Sequence, residues 1–470
     1  MSLQEEKVAD MQGLLRKLAF KVWEMAEVGL KEYRSAELLA EACRDEGFAV
    51  DMGIAGMPTA FLARWGQGGP VVGFLAEYDA LPGLSQKVSL TQEPLEEGKP
   101  GHGCGHNLLG VGALGAAFAL KRSLQEKGAP GSVYLFGCPA EETITAKGYM
   151  VRDGYFDDVD AVFDWHPADA NGVNMRTTLA CDSVVFTFSG RAAHAAANPE
   201  WGRSALKAVE LMNAGVNYLR EHIPGDARIH YVITDGGGEP NVVPARAGVW
   251  YYIRAPRRRQ VEDLTRRVLL CAEGAAMMTE TEVKADFLDK CYNMVPNRAL
   301  SRTAHEEFRA VGAPPVSPDQ EDFIRGLKKL LTREQIEEVL RFYKIPLDYE
   351  HSMHLHVSPL EEAGGVSPGS TDAADVSWKA PLAHIRVACK PLGVPGHTWQ
   401  AVAAFGSEVG VQGMLTAAAV LSRAGWRFMT DPELRGEAAA ELKEHLRQEP
   451  FKPALTPDMK PPLDQWDHHK

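Results

Sequence analysis

Four short apolar runs each end in polar side chains, and this pattern constrains the fold more than any other feature of the sequence. The runs lie at residues 71–76, 132–138, 161–165 and 384–388. Continuous apolar runs of this length predict strands that are buried on both faces of a parallel sheet. Helical periodicity within residues 8–46 predicts two helices, separated near Gly29, before the first strand. These elements predict an α/β doubly wound domain.

Polar residues follow each of the four predicted strands. In chain order they are Glu77 and Asp79, then Glu141 and Glu142, then His166, and finally His397 in a loop. Open α/β sheets bind ligands beyond the carboxyl ends of their strands, so we expect these side chains to meet at one edge. The sequence therefore predicts one site there.

The middle of the chain follows another pattern. Between residues 183 and 296 the predicted elements have the order β-α-β-β-α-β, which is typical of a ferredoxin-like α+β domain. We place this inserted domain at 183–296 and a discontinuous catalytic domain at 1–182 and 297–470. The proline-punctuated stretch 314–368 contains one predicted helix, at 333–343. The last twenty residues are expected to form a poorly ordered or extended tail.

Composition excludes several classes of function. The 470 residues are 45% hydrophobic, which fits a globular chain, and 50 basic against 63 acidic residues give a charge of −13 that disfavours nucleic acid as a partner. Seven scattered cysteines without a CxxC pair predict free thiols in a reducing compartment. The N-terminal segment lacks the features of a secretory signal, and the longest apolar run, 108–120, is too short to span a bilayer. We therefore expect a cytoplasmic protein.

The glycine-rich segment 101–107 carries two candidate metal ligands. Cys104 and His106 lie immediately before a predicted helix of small residues, so both should lie at its N-terminus. The helix dipole is expected to lower the pKa of a thiol there and to favour metal binding. A glycine-rich turn with a buried cysteine is the alternative interpretation of this segment.

The adjacent carboxylates Glu141 and Glu142 suit a metal site with a general base. One carboxylate can bind an ion while its neighbour accepts a proton from water, although an exposed acidic turn is also compatible with the sequence. His166 and His397 could each be an ordinary core or loop histidine. The occurrence of five such donor residues in one chain favours a metal site, because five donors are enough for one ion or two. These donors are Cys104, His106, Glu142, His166 and His397.

Six motifs in order carry a resemblance to a known family. They are GHGCGHNLLG, CPAEE, FDWHP, GRAAHAAANPEWGRSAL, PNVVPARAGVWYYIRAP and PGHTWQ. In these motifs the chain resembles the amidohydrolase branch of the M20 metallopeptidases, and within that branch the group of aminobenzoyl-glutamate utilization proteins. The likeness covers nearly the whole chain and is weakest at about 313–366 and in the tail.

The resemblance implies a zinc-peptidase-like catalytic domain with two divalent metal ions per subunit, either Zn²⁺ or Mn²⁺. It implies that the five donors named above are the metal ligands, that Glu141 is the catalytic base and that Asp79 orients a ligand. The inserted domain would be a lid that also forms a homodimer. His194 of the lid would enter the partner subunit's cleft and stabilise the oxyanion, and Asn241 and Arg254 are candidates to recognise a substrate carboxylate.

Two positions depart from the broader family pattern. Glu77 stands where many members have a histidine ligand, and Asn107 stands where this branch often has aspartate. Both departures match the aminobenzoyl-glutamate group. They leave open the metal identity and the division of ligands between two ions.

The resemblance implies a metal-dependent amidohydrolase that cleaves an N-acyl amino acid, with p-aminobenzoyl-glutamate as the first candidate substrate. A dipeptidase or another N-acyl amino acid deacylase of the same fold is one alternative. A non-catalytic or partner-dependent subunit of a two-subunit hydrolase is another. Residues 143–147 and the stretch after Pro314 are expected to shape the specificity pocket.

Overall fold

The computed structural model describes residues 1–347, 349–361 and 364–464. The chain divides into two units. The first comprises Met1–Arg176, Val295–Gly365 and Val376–Lys452, and the second comprises Thr177–Met294, Val366–Asp375 and the described residues from Pro453 onward. In the predicted tail, residues 451–464 contain no helix or strand, and residues 465–470 lie outside the described residues.

A seven-stranded mixed sheet forms the centre of the first unit. Its strands are β1 (Ala49–Met52), β2 (Phe61–Gln67), β3 (Val71–Glu77), β4 (Gly131–Cys138), β5 (Ala161–Ala168), β6 (Gly172–Val173) and β11 (Leu382–Ala388). They are arranged in the order β1-β2-β4-β3-β5-β11-β6. The four predicted strands, β4, β3, β5 and β11, are adjacent and mutually parallel, so the α/β prediction is confirmed. The antiparallel strands β1, β2 and β6 were not predicted.

Helices pack on this sheet, and α3 contributes the largest number of buried residues among them. It packs against α1, α12 and β3. The predicted helix at 333–343 is confirmed as α9, whereas α8 was not predicted. Apart from α5 and α6, which pack on the sheet of the second unit, the described helices are α1 (Leu3–Met25), α2 (Tyr33–Asp45), α3 (His106–Lys127), α4 (Ala146–Arg152), α7 (Arg298–Val311), α8 (Pro318–Lys328), α9 (Arg333–Phe342), α10 (Ala373–Val376), α11 (Trp399–Phe405), α12 (Glu408–Thr430) and α13 (Pro432–Gln448).

The second unit contains a four-stranded antiparallel sheet in the order β10-β7-β9-β8. Helices α5 and α6 pack on it and share an apolar core with its strands. The predicted β-α-β-β-α-β order is confirmed, while the lid and dimer roles stay predictions. The elements are β7 (Ala180–Ser189), α5 (Ala205–Leu219), β8 (Arg228–Asp235), β9 (Arg246–Ala255), α6 (Arg258–Thr279) and β10 (Glu282–Cys291).

Among the described residues, no single helix has the length and apolar composition needed to cross a membrane. The bent pair Trp399–Phe405 and Glu408–Thr430 meets these two criteria only when its helices are taken together.

The close packing of α3 on β5 depends on Gly112, and this contact generates a prediction. Trp165 is fully buried and donates a hydrogen bond from Nε1 to the Leu109 carbonyl at 3.0 Å. A Cβ atom at position 112 would lie 2.6 Å from Cζ2 of Trp165. We expect Gly112→Ala to lower the free energy of unfolding by about 1 to 3 kcal/mol, because overpacking displaces the indole. Urea unfolding followed by tryptophan fluorescence measures the change.

Gly13→Ala on α1 is the matched control. Apart from the local backbone of α1 and the two neighbouring residues, no atom of the described residues lies within 4 Å of the added Cβ there, so alanine should stabilise the helix by up to about 1 kcal/mol. Equal urea midpoints for the two variants would contradict the proposed packing constraint.

Candidate metal centre

The ends of the parallel strands bring the predicted polar residues together. Glu77 is the last residue of β3, and Glu141 and Glu142 lie in a short 3₁₀ turn directly after β4. His166 lies near the end of β5, and His397 lies in the loop before α11. In the β3–β4 register Glu77 pairs with Cys138, so both strands end at the same edge.

Three groups of donor atoms could each hold an ion, with the atoms of each group within 4.8 Å of one another. Two of the groups share Cys104 and together use all five predicted ligands. The groups are Cys104–His106–His166, Cys104–Glu142–His397 and Glu77–His106–Glu141. The described donors therefore fit a metal site, and the two groups that share Cys104 contain all five predicted ligands.

Distances between donors support this fit. Sγ of Cys104 lies 3.3 Å from Nε2 of His166, and Oε2 of Glu142 lies 3.5 Å from Nε2 of His397. Two ligands of a tetrahedral zinc ion are separated by roughly 3.3 to 3.8 Å when the metal bonds are about 2.0 to 2.3 Å long. The residues present are thus spaced as ligands of a metal ion.

Asp79 fixes the orientation of His106. The ring Nδ1 of His106 is 2.8 Å from Oδ1 of Asp79, and both side chains are fully buried. This hydrogen bond leaves Nε2 for a metal, as is usual for metal-binding histidines. Nε2 is buried and has no hydrogen-bond partner among the residues the structure describes. Oδ2 of Asp79 accepts the backbone N–H of Glu142 at 2.9 Å, so one carboxylate positions two predicted ligands.

Crowding of these donors changes their protonation. Burial, together with the Glu142 carboxylate, raises the pKa of the Cys104 thiol, so the lowering predicted from the helix dipole is wrong for the metal-free chain. Burial also raises the pKa of Glu142 to about 7, and it lowers the pKa of His166 to about 3. A neutral His166 ring is the form that binds a cation.

A buried ion pair between Glu77 and Lys147 was not predicted. Nζ of Lys147, on α4, lies 2.8 Å from Oε1 of Glu77, and their side chains are 0% and 3% exposed. Lys147 is therefore engaged by a buried carboxylate, while the expectation that residues 143–147 shape the specificity pocket stays a prediction. A single lysine near a helix start is usually exposed, so no pattern in the sequence pointed to this pair.

The turn that carries Glu141 is fixed by a second buried carboxylate, Glu32. Oε1 of Glu32 accepts the backbone N–H of Ala140 at 2.8 Å, and Oε2 accepts the hydroxyl of Thr59 at 3.0 Å. Ala140 has a φ of 56°, a left-handed conformation that is costly for alanine. Glu32 thus stabilises a strained turn next to the proposed base. This role of Glu32 was not predicted, because Glu32 lies 108 positions before Ala140 in the chain.

Asn107 has a structural role. Its side-chain amide donates to the carbonyl of Phe405 at 3.1 Å and to that of Ala19 at 3.5 Å. The amide therefore links α3 to α11 and α1, contacts in which an aspartate could not donate a hydrogen bond.

The three predicted lid residues lie in the second unit. His194 is exposed, and its Nδ1 accepts the backbone N–H groups of Ala196 and Ala197, so the neutral ring carries its proton on Nε2. Asn241 is adjacent, because its carbonyl accepts the Ala195 N–H at 2.8 Å. Arg254 lies near the far end of β9, about 26 Å along the strand from its start at 3.3 Å per residue. One copy of the chain therefore brings His194 and Asn241 together but not Arg254.

An open α/β sheet whose strand ends carry thiol, imidazole and carboxylate donors is typical of hydrolases that use divalent metal ions. The sequence matches the model of the peptidase family M20/M25/M40 over residues 73–452, and the chain belongs to this family. It is a metal-dependent amidohydrolase, as the resemblance predicted, and its cofactors are divalent metal ions.

Relatives agree with the family assignment, and a solved structure agrees with the fold. One of the p-aminobenzoyl-glutamate hydrolase subunits of Escherichia coli K12 is 40% identical over 446 residues, covering 92% of this chain and 93% of that protein. The Xaa-Arg dipeptidase of Mus musculus is 31% identical over 328 residues, which cover 67% of this chain and 72% of that protein. A dinuclear metal-binding peptidase of the M20 family from Bacillus subtilis has a similar fold, with a TM-score of 0.54 at 16% identity and coverage of 88% and 98%.

The environment of Glu32 predicts a pH-dependent change in stability. Burial, with repulsion from Asp79, raises the pKa of Glu32 from 4.5 to about 8. Between pH 4.5 and 8, Glu32 is protonated in the folded chain but ionised in the unfolded chain. The free energy of unfolding therefore falls as pH rises through this range. Glu32→Gln removes this penalty. We expect the variant to gain stability relative to the native chain with rising pH, by at most about 5 kcal/mol.

Urea unfolding of the metal-stripped proteins at pH 5 and pH 8.5 measures this difference. Glu37→Gln is the control, because Glu37 pairs with Arg44 on the exposed face of α2, where a surface pair contributes at most about 1 kcal/mol. The same difference between Glu32→Gln and the native chain at both pH values would refute the raised pKa.

Proposed function

We propose that this chain hydrolyses the amide bond of an N-acyl amino acid, with p-aminobenzoyl-glutamate as the first candidate, to p-aminobenzoate and glutamate. The convergence of five ligand side chains with a further carboxylate at one sheet edge carries this proposal. The name of the E. coli relative, which is 40% identical over nearly the full length of both chains, supports the choice of substrate.

Cys104, His106, Glu142, His166 and His397 hold two divalent ions per subunit in this proposal. Bound there, the ions supply Lewis-acid polarisation of the scissile carbonyl and make water more acidic. The thiol favours Zn²⁺, whereas the carboxylate and imidazoles also suit Mn²⁺, so both ions are candidates. Asp79 orients His106 through its hydrogen bond to Nδ1.

Glu141 acts as general base. Its Oε2 lies 3.8 Å from Nε2 of His106, so the carboxylate borders the ligand cluster without belonging to the two groups that share Cys104. The carboxylate takes a proton from the attacking water and delivers it to the departing amine. The hydrogen bond that the backbone N–H of Ala140 donates to the Glu32 carboxylate holds this turn in position.

His194 stabilises the oxyanion in this proposal. A proton on Nε2 makes the neutral ring a hydrogen-bond donor, and an oxyanion donor is worth about 3 kcal/mol. The family resemblance assigns this histidine to the cleft of the partner subunit in a homodimer that forms through the second unit. Asn241 and Arg254 recognise the substrate carboxylate. Asn241 lies before the start of β9 and Arg254 near its far end, a separation compatible with the two residues serving different subunits' sites.

The cytoplasm is the proposed location. All seven cysteines are free thiols, which supports a reducing compartment.

A dipeptidase is the second candidate function, since the mouse relative that is 31% identical is a dipeptidase. The same donors and base would serve either reaction. A panel that compares p-aminobenzoyl-glutamate with Xaa-Arg dipeptides and aliphatic N-acyl amino acids separates the two.

A partner-dependent subunit is the third candidate, because the E. coli relative is named as a hydrolase subunit. The complete donor set with Glu141 and His194 favours a self-sufficient enzyme. Activity of the purified chain alone decides between these alternatives.

Glu141→Gln tests the role of the base. We expect the variant to bind as much metal as the native chain but to release glutamate from p-aminobenzoyl-glutamate about 10²- to 10⁴-fold more slowly, because the amide cannot accept a proton. Glutamate release is assayed after metal removal and resupply with Zn²⁺ or Mn²⁺. Glu437→Gln, an exposed position paired with Arg302, is the control. Turnover by Glu141→Gln close to that of the control would exclude Glu141 as the base.

Mixing two inactive variants tests whether His194 acts across subunits. In a dimer that pairs the Glu141→Gln chain with the His194→Asn chain, one of the two sites would contain both native residues. After unfolding and refolding of an equal mixture, about a quarter of the native activity should return, because half of the dimers are mixed. Mixtures with no more activity than either variant alone would place His194 outside the partner's site.

A further inference from the structure

The buried pair Glu77–Lys147 adjoins the donor cluster but is not needed to complete it. Taking a carboxylate and an ammonium group out of water is costly, and their mutual attraction offsets this cost only when the geometry is good. Nζ of Lys147 and Oε1 of Glu77 are 2.8 Å apart, and neither side chain is more than 3% exposed.

The second oxygen of Glu77 faces the cluster. Oε2 lies 3.3 Å from Nε2 of His106, the nitrogen that the hydrogen bond to Asp79 leaves for a metal. By distance alone Glu77 could be a sixth ligand, and it belongs to the third group of donors with His106 and Glu141.

Charge argues against ligation by Glu77. Its carboxylate already compensates the Lys147 ammonium, and a divalent ion on the same carboxylate would lie close to a buried positive charge. The two groups that share Cys104 could hold two ions without Glu77.

We propose that Glu77 and Lys147 act as a neutral buried pair that positions His106 and sets the metal affinity, and that Glu77 is a positioning residue and not a metal ligand. This inference rests on the metal-dependent function proposed above. Lys147 holds one oxygen of Glu77, and the other oxygen confines the His106 ring on the side opposite its bond to Asp79.

Substitutions that remove one charge or both have distinct expected effects. Glu77→Gln removes the carboxylate that compensates the Lys147 ammonium beside the ions, so zinc affinity should fall about 10- to 100-fold while two ions still bind. Lys147→Met leaves a carboxylate beside the ions, so zinc affinity should not fall. The double variant removes both charges and should bind zinc within about threefold of the native chain.

Zinc affinity is measured on the metal-stripped full-length chain by competition with a chromophoric chelator, and zinc content by elemental analysis. Asp182→Asn is the control, because Asp182 and Arg258 form another buried ion pair, 2.5 Å apart, with partners in the second unit. This control should keep native zinc affinity. Thermal unfolding of each variant verifies that it is folded.

Several outcomes would overturn the inference. If Glu77→Gln binds one zinc ion fewer than the native chain, Glu77 is a metal ligand. If the zinc affinity of this variant is unchanged, the Glu77–Lys147 pair has no role in metal binding. If a single variant does not fold, the double variant decides, since weakened zinc binding there would contradict a neutral pair. A native chain that binds no zinc or manganese would instead refute the proposed function itself.

Discussion

The hydrogen bond between Asp79 and His106 is the interaction on which the rest of the site depends. It joins the segment after β3 to the first residue of α3, and the same carboxylate accepts the backbone N–H of Glu142 after β4. Three chain segments are therefore fixed by one buried side chain. Because Nδ1 of His106 is occupied, the ring presents Nε2 to the other donors.

Glycines in the motif before α3 allow the remaining donors to approach. Gly105 has a φ of 90°, and a Cβ there would lie 3.0 Å from Pro167, the residue after His166. A Cβ at Gly103 would lie 3.1 Å from Cα of His397, whose backbone N–H donates to the Gly103 carbonyl at 2.9 Å. Larger residues at either position would push Cys104 away from two predicted ligands. The glycine-rich pattern is thus a packing requirement of the metal centre.

Much of this arrangement was predictable, because parallel strands place their carboxyl ends at one edge and the residues there are chemically distinctive. The buried strands and the clustered donors follow from that rule. Strands β1 and β2 were not predicted, because they are only partly buried and their sequences contain no continuous apolar run of strand length. Glu32 and Lys147 were missed because burial of a charge depends on distant partners. The Cys104 pKa was wrongly predicted because burial and a neighbouring carboxylate outweigh a helix dipole.

Electrostatics explain why this fold favours cations. The structure buries Glu77, Asp79 and most of Glu142 in one cluster, where Lys147 is the buried lysine paired with Glu77. Burial, together with repulsion from Asp79 and Glu77, raises the pKa of Glu142 to about 7, so the concentration of negative charge in this cluster is costly. Divalent ions would supply the positive charge that these buried carboxylates lack, and they would favour the deprotonated form of each donor. Metal affinity and the stability of the first unit are therefore linked through the same buried carboxylates.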